Sequence, residues 1–167
     1  AGGGFGADGT LSGAMMPSVV VGTTAEAPSG REQEIIAAFQ PTGLAVRRER
    51  DIRGWLWLHF VADAGMFMQA QQLGSMAEMI GNRRAMRQAF LTAGELLPVV
   101  AARGVDLKKH RSATLNYRQP RLMAAVTAAV TAALPLAQRS LAAHTDPATP
   151  ESRAIVADAM REAHRFG

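Results

Sequence analysis

The chain has 167 residues, of which 48% are hydrophobic and 19% charged, a balance typical of a globular protein rather than a disordered one. Its formal net charge is +4, and it contains no cysteine, which excludes disulfides, thiol chemistry and cysteine-ligated zinc. The arginines at positions 47 to 53 are interspersed with Glu49 and Asp51, so we interpret them as a solvated face and expect no nucleic-acid partner.

The first sixteen residues contain six glycines and are predicted to form a loop. The segment from Gly4 to Gly9 formally matches the G-x-G-x-x-G fingerprint of dinucleotide-binding proteins. No strand precedes it and residues 10–17 do not resemble a helix, so we do not interpret it as a cofactor site. The chain begins with neither a methionine nor a recognisable signal peptide, and we expect it to start inside a larger protein.

A β-α-β unit is predicted next, because a β-branched run, a helix start signal and a second short strand follow one another. The predicted strand, helix and strand cover residues 18–24, 31–40 and 44–48. Ser29 and Glu32 have the spacing of a capping box, and Pro41 ends the helix. Two strands are too few for an independent sheet. Residues 1–50 therefore indicate the end of a larger α/β domain.

The rest of the chain, residues 51–167, is predicted to be an all-α domain. The predicted helices cover residues 51–73, 76–80, 83–103, 120–143 and 151–164, with loops at 105–119 and 144–150. Asp51 and Asn82 are the expected N-terminal caps of the first and third helices, and Pro120 suits the first turn of the fourth. The methionines at 66, 68, 76 and 79 are expected to pack in the core or at an interface. The fold class is thus mainly α, preceded by a short β-α-β unit.

The uncharged run from Leu122 to Gln138 is the only candidate for membrane insertion. It is short for a membrane span, rich in alanine and interrupted by Pro135. We interpret it as a buried or interfacial helix and expect no membrane partner.

One apolar stretch carries two ionisable side chains. Between Trp55 and Met68 these are His59 and Asp63, which are four residues apart and therefore lie on one face of a helix. Ionisable groups in apolar surroundings are costly unless they are paired or used. Two interpretations stay open, namely a His–Asp pair that satisfies itself inside a core, and a functional pair.

The motif around this pair resembles the C-terminal half of ketopantoate reductase-type proteins of pantothenate biosynthesis. That family has W-x-K-L-x-x-N and then a glutamate on the next long helix, and here Trp57 begins the corresponding motif. His59 occupies the lysine position and Asp63 the asparagine position, whereas Glu95 matches. The resemblance implies a helical domain of the 6-phosphogluconate dehydrogenase C-terminal-like type, preceded by the end of a Rossmann-type NADP-binding domain.

The same resemblance implies an activity and assigns roles to four residues. A cytoplasmic homodimer, joined through its helical domains, would reduce a 2-keto acid or a related carbonyl compound with NADPH. His59 would replace the lysine that donates a proton to the carbonyl oxygen, with Asp63 beside it. Glu95 and Ser112 would contact the substrate. A missing N-terminal domain would bind most of the NADP, so residues 1–167 alone are not expected to bind it.

Two alternatives from other classes stay open. The first is a non-catalytic helical interaction domain that has kept the packing and lost the lysine. The second is a metal-assisted hydrolase, because His59, Asp63 and Glu95 are all possible metal ligands. The chain has no H-E-x-x-H motif and its other histidines show no ligand spacing, so no metal is expected.

Overall fold

The computed structural model of the chain describes residues 2–5, 8–14, 16–24, 30–143 and 150–166, and these are mainly helical. Two small sheets of two strands each lie in the first 50 residues. The predicted mainly-α class is therefore confirmed, whereas the 6-phosphogluconate dehydrogenase-like fold and the division at residue 50 stay predictions.

The glycine-rich start is not a loop, and that prediction was wrong. Strands β1 (Gly2–Phe5) and β2 (Leu11–Ala14) form an antiparallel hairpin. Between them the Asp8 carboxylate accepts hydrogen bonds from the backbone N–H and the hydroxyl of Thr10, at 3.0 and 2.9 Å. Gly9 has a φ of +79°, which glycine adopts without steric cost. Local turn chemistry thus reverses the chain, and both strands contact helix α7, described below.

The predicted β-α-β unit is present. Strand β3 (Ser18–Val21), helix α1 (Gly30–Phe39) and strand β4 (Ala45–Arg48) follow one another, and the two strands pair in parallel. The buried carboxylate of Glu32 accepts a hydrogen bond from Nε of Arg48 at 2.9 Å, which ties α1 to β4. Ser29, the other half of the predicted capping box, lies outside the described residues.

Helix α2 (Ile52–Leu73) begins and ends where the sequence predicts. Oδ1 of Asp51 accepts the N–H of Gly54 at 3.0 Å, which satisfies one of the free donors of the first turn. Gly74 has a φ of +95° and its N–H bonds to the carbonyl of Ala70, which ends the helix. This helix packs against three of the later helices, described below.

Two of the predicted helices are each divided by a proline. The remaining helices are α3 (Arg83–Glu95), α4 (Leu97–Ala102), α5 (Arg111–Arg118), α6 (Pro120–Ala133), α7 (Pro135–Ala142) and α8 (Pro150–Phe166). Pro98 has no N–H for the carbonyl of Gly94, and the predicted helix over 83–103 breaks at Leu96. Pro135 breaks the predicted helix over 120–143 in the same way, with a bend of 99°.

Two smaller predictions also change. The predicted loop over 105–119 contains α5, and the predicted short helix over 76–80 is a single 3-10 turn, Ala77–Met79. Asn82 caps α3 as expected, with its side chain accepting the N–H of Ala85 at 3.0 Å. The predicted turn over 144–150 lies almost wholly outside the described residues, and α8 follows it.

The core lies where α2 crosses α3 and α8, and where α3 crosses α6. Met76 and Met79 are buried in it, and Met66 and Met68 pack against its edge, so the predicted packing role of the methionines is confirmed. At Gly65 the helices approach so closely that a Cβ atom there would overlap the carbonyl oxygen of Ala89. The absence of a side chain at this position sets the spacing of α2 and α3.

Across the part of the chain that the structure describes, no single helix is both long and apolar enough to cross a membrane. Helices α6 and α7 reach the required length and composition only as a pair with a sharp bend between them.

Candidate active site

His59 and Asp63 lie on one face of α2, and their pairing is confirmed. Nε2 of His59 is 3.6 Å from Oδ2 of Asp63. The side chains are 58% and 35% exposed, so the interpretation of a pair enclosed in the core is wrong. The reason is the phase of the helix, since Leu58 and Val61 face the core and leave His59 on the outer side.

The imidazole of His59 contacts one side chain a helical turn before it and another a turn after it. Its ring stacks on the indole of Trp55, with centroids 5.0 Å apart and planes within 11°. Asp63 lies one turn further on, at the other side of the imidazole. Stacking and pairing together restrict the side-chain rotamer while one edge of the ring stays open to solvent. This arrangement gives an accessible group that can donate or accept a proton.

Tyr117 on α5 lies within electrostatic range of Asp63, and sequence reasoning missed it. Burial, and to a lesser extent the nearby Asp63 carboxylate, raise the pKa of the Tyr117 phenol. Its ring packs against Phe90, with centroids 6.2 Å apart. The sequence offers one signal, since Tyr117 is the only tyrosine in the chain, but it predicts a loop over residues 105–119.

Glu95 is exposed at the last residue of α3. The preceding Gly94 faces Tyr117, because a Cβ atom there would lie 3.5 Å from the Tyr117 carbonyl oxygen. Tyr117 therefore lies within electrostatic range of Asp63 and beside the residue before Glu95. The sharing of one cleft by His59, Asp63 and Glu95 stays a prediction.

Ser112 is exposed in the first turn of α5 and lines a cavity of about 630 Å3. Neither His59 nor Asp63 lines that cavity. The structure therefore gives Ser112 different surroundings from those of the histidine pair.

The other residues of the His59 motif line a groove between α2 and α8. Trp57 and Phe60 form its aromatic floor, with their rings edge to face at 5.6 Å, and the cavity measures about 520 Å3. Arg103 lies over the Trp57 ring and forms an ion pair with Glu162 of α8. That ion pair holds the pKa of the Glu162 carboxyl below its usual value. The motif thus divides between two faces of α2.

A second His–Asp pair connects distant parts of the chain. Nε2 of His110 is 2.9 Å from Oδ2 of Asp51, and His110 is buried. The hydrogen bonds from His110 and from the Gly54 N–H, in that order, lower the pKa of the Asp51 carboxyl. The sequence predicts Asp51 as a helix cap but assigns no role to His110.

The chain packs closely just after β3. At Gly22 a Cβ atom would overlap the carbonyl oxygen of Glu49 and the side chain of Ile52. The absence of a side chain at Gly22 therefore lets the end of β3 approach the start of α2. Among the described residues no group of three or more His, Asp or Glu side chains is arranged to hold a metal ion.

The chain matches no protein-family model, no curated protein and no solved structure at a significant level. The resemblance to ketopantoate reductases therefore depends on the motif residues alone.

Proposed function

We propose that this chain is the substrate-side helical domain of a ketopantoate reductase-like, NADPH-dependent oxidoreductase that reduces a 2-keto acid or a related carbonyl compound. The observation that supports this proposal is the exposed His59, held between Trp55 and Asp63 on α2. The exposed edge of the imidazole leaves it accessible to a substrate.

In this proposal His59 is the proton donor. Because Nε2 points toward Asp63, the other ring nitrogen, Nδ1, faces the carbonyl oxygen of the substrate. Asp63 orients the ring and balances its charge when it is protonated. Glu95 contacts substrate hydroxyl groups, and Ser112 contacts the substrate from α5. The NADP site lies mainly in another domain, and NADPH, when bound, supplies the hydride.

The test is an NADPH-consumption assay of the natural full-length protein over a panel of 2-keto acids. His59→Ala should lower kcat by roughly 10²–10⁴-fold, the usual effect of losing a general acid. His164→Ala is the matched control, because His164 is exposed on α8. Near-normal kcat in the His59→Ala variant on every accepted substrate would reject the catalytic role.

The second candidate is a non-catalytic interaction domain, and an exposed apolar surface favours it. Leu122, Val126 and Val130 recur at every fourth residue of α6 and are 41–57% exposed. Residues with this spacing form a stripe along one side of a helix. In this candidate, as in the reductase, a homodimer forms through α6. A wild-type protein that reduces no carbonyl compound and binds no NADPH while dimerising would favour the interaction domain.

A further inference from the structure

The cavity beside α5 is lined by basic side chains and by no acidic one. Its seven lining residues include three cations, two hydroxyl groups and two leucines. The cations are Lys108, Arg111 and Arg118, and the hydroxyl groups belong to Ser112 and Thr114. None of the lining residues is a carboxylate, so the cavity presents hydrogen-bond donors and positive charge to its contents.

The three cations are not neutralised by neighbouring acids. Within the described ranges no carboxylate forms an ion pair with Lys108, Arg111 or Arg118. Asp106 is the nearest acid in the sequence, and its Oδ1 accepts the backbone N–H of Lys108 at 2.9 Å. The region 83–121 holds nine of the 18 Lys and Arg residues but only two of the 14 Asp and Glu residues. An incoming anion therefore meets a net positive field.

The position of these donors is fixed by the core. His110, immediately before α5, is bonded to Asp51 at the start of α2. Thr114 is buried, and its hydroxyl donates to the carbonyl of Arg111 at 3.2 Å. The first turn of α5 is thereby held in place. Arg111 and Arg118, at i and i+7, project from one side of a fixed helix, which reduces the entropy lost on binding.

We propose that this cavity binds a small organic anion. A carboxylate or phosphate head binds to Lys108, Arg111 and Arg118, and a short apolar body contacts the two leucines. Guanidinium groups bind both kinds of head through paired N–H donors. The absence of an aromatic side chain from the lining disfavours a nucleic acid, because single strands bind through stacked bases. The cavity shares Ser112 with the proposed reductase site, but the inference can fail separately from that proposal, because binding here requires neither NADPH nor His59.

The test is calorimetric titration of the chain with three probes at low and at physiological salt. The probes are glycerol phosphate, 2-oxobutyrate and a single-stranded oligonucleotide. We expect one of the two small anions to bind at one site per chain. The double variant Lys108→Gln, Arg111→Gln should weaken that binding at least about tenfold, because each charge-assisted hydrogen bond contributes more than a neutral one.

The matched control is Arg84→Gln, Arg139→Gln, which removes the same charge from exposed positions on α3 and α7. Circular dichroism of both variants shows that each is folded. Binding of one small anion that only the cavity variant weakens supports the site and identifies the head group. Failure of both small anions to bind, binding of the oligonucleotide alone, or equal weakening in the control variant would overturn the proposal.

Discussion

Oδ2 of Asp51 lies 2.9 Å from Nε2 of His110, a residue 59 positions later in the chain. The other oxygen of the same carboxylate caps α2 through the N–H of Gly54. One side chain therefore starts the longest helix and anchors the turn that leads into α5. Gly54 leaves the necessary space, since a Cβ atom there would overlap the imidazole of His110.

The first prediction concerns replacement of Asp51. Asp51→Ala removes the cap and leaves a buried imidazole without its partner, so unfolding free energy should fall by about 1–3 kcal/mol. Asp51→Asn keeps a cap oxygen and should cost less. Chemical denaturation at neutral pH measures both. Equal stability of the wild type and Asp51→Ala would show that the pair contributes nothing.

The second prediction gives the pH dependence of this contribution. The pKa of Asp51 is lower in the folded chain than in the unfolded chain, so the unfolded state binds more protons in acid. The stabilisation is therefore present at neutral pH and is lost as the pH falls below about 4, toward the depressed folded value. The stability difference between wild type and Asp51→Asn should shrink over that range. If the difference in unfolding free energy stays constant down to a pH at which Asp51 is fully protonated, this linkage is contradicted.

The third prediction compares the effects on stability of replacing two glycines, Gly65 on α2 and Gly94 on α3. Gly65→Ala should destabilise the protein by about 1–3 kcal/mol, because the added methyl group overlaps the Ala89 carbonyl at the α2–α3 crossing. Gly94→Ala is the control, because its methyl group would make only ordinary contacts with Tyr117. There the gain in helix propensity should leave stability unchanged or higher by up to about 1 kcal/mol. Thermal melts that order the two variants the other way would contradict this account.

These examples show what the sequence could predict. Asp51 and Asn82 each cap a helix by accepting the N–H of the residue three positions later. Local spacing was therefore sufficient to locate the starts of α2 and α3. The predicted helices over 83–103 and 120–143 run through Pro98 and Pro135, where the structure has breaks. The periodicity continues across each break while the backbone hydrogen bonds do not.

The candidate site was harder to predict because its contacts are distant in sequence. The spacing of His59 and Asp63 sufficed to pair them, since the contact lies within one helix. Their exposure depends on which side of α2 meets α3 and α8, which no local pattern determines. Tyr117 comes within electrostatic range of Asp63, and His110 bonds to Asp51, only after α5 and the turn before it pack on the rest of the fold.

The fourth prediction concerns Arg103, whose guanidinium lies 5.4 Å from the Trp57 ring centroid and 5.1 Å from that of Phe166 while it pairs with Glu162. Arg103→Lys keeps the charge but cannot stack on two rings and pair with a carboxylate at once. We expect a lower melting temperature and faster amide exchange in α8. Arg161→Lys, at a mostly exposed ion pair on the same helix, should leave both unchanged. Unchanged amide exchange in Arg103→Lys would mean that α8 docks without this contact.

The last prediction concerns the apolar stripe on α6 and the proposed homodimer. Val126 lies in the middle of the stripe, and complete burial of such a side chain contributes about 1.5–3 kcal/mol. Val126→Glu places a charge there, whose burial without a partner is unfavourable, so it should convert a dimer into a folded monomer.

Sedimentation equilibrium over a range of concentrations measures the mass, and circular dichroism checks the fold. Ala154→Glu is the control, because it adds the same charge at an exposed position of α8 and should leave the dimer intact. If the wild type is monomeric at every concentration, or if Val126→Glu dimerises as tightly as the control, α6 is not the dimer interface. A wild type that is always monomeric would contradict the homodimer in both proposed functions. The His59→Ala assay would still test separately whether the chain takes part in catalysis.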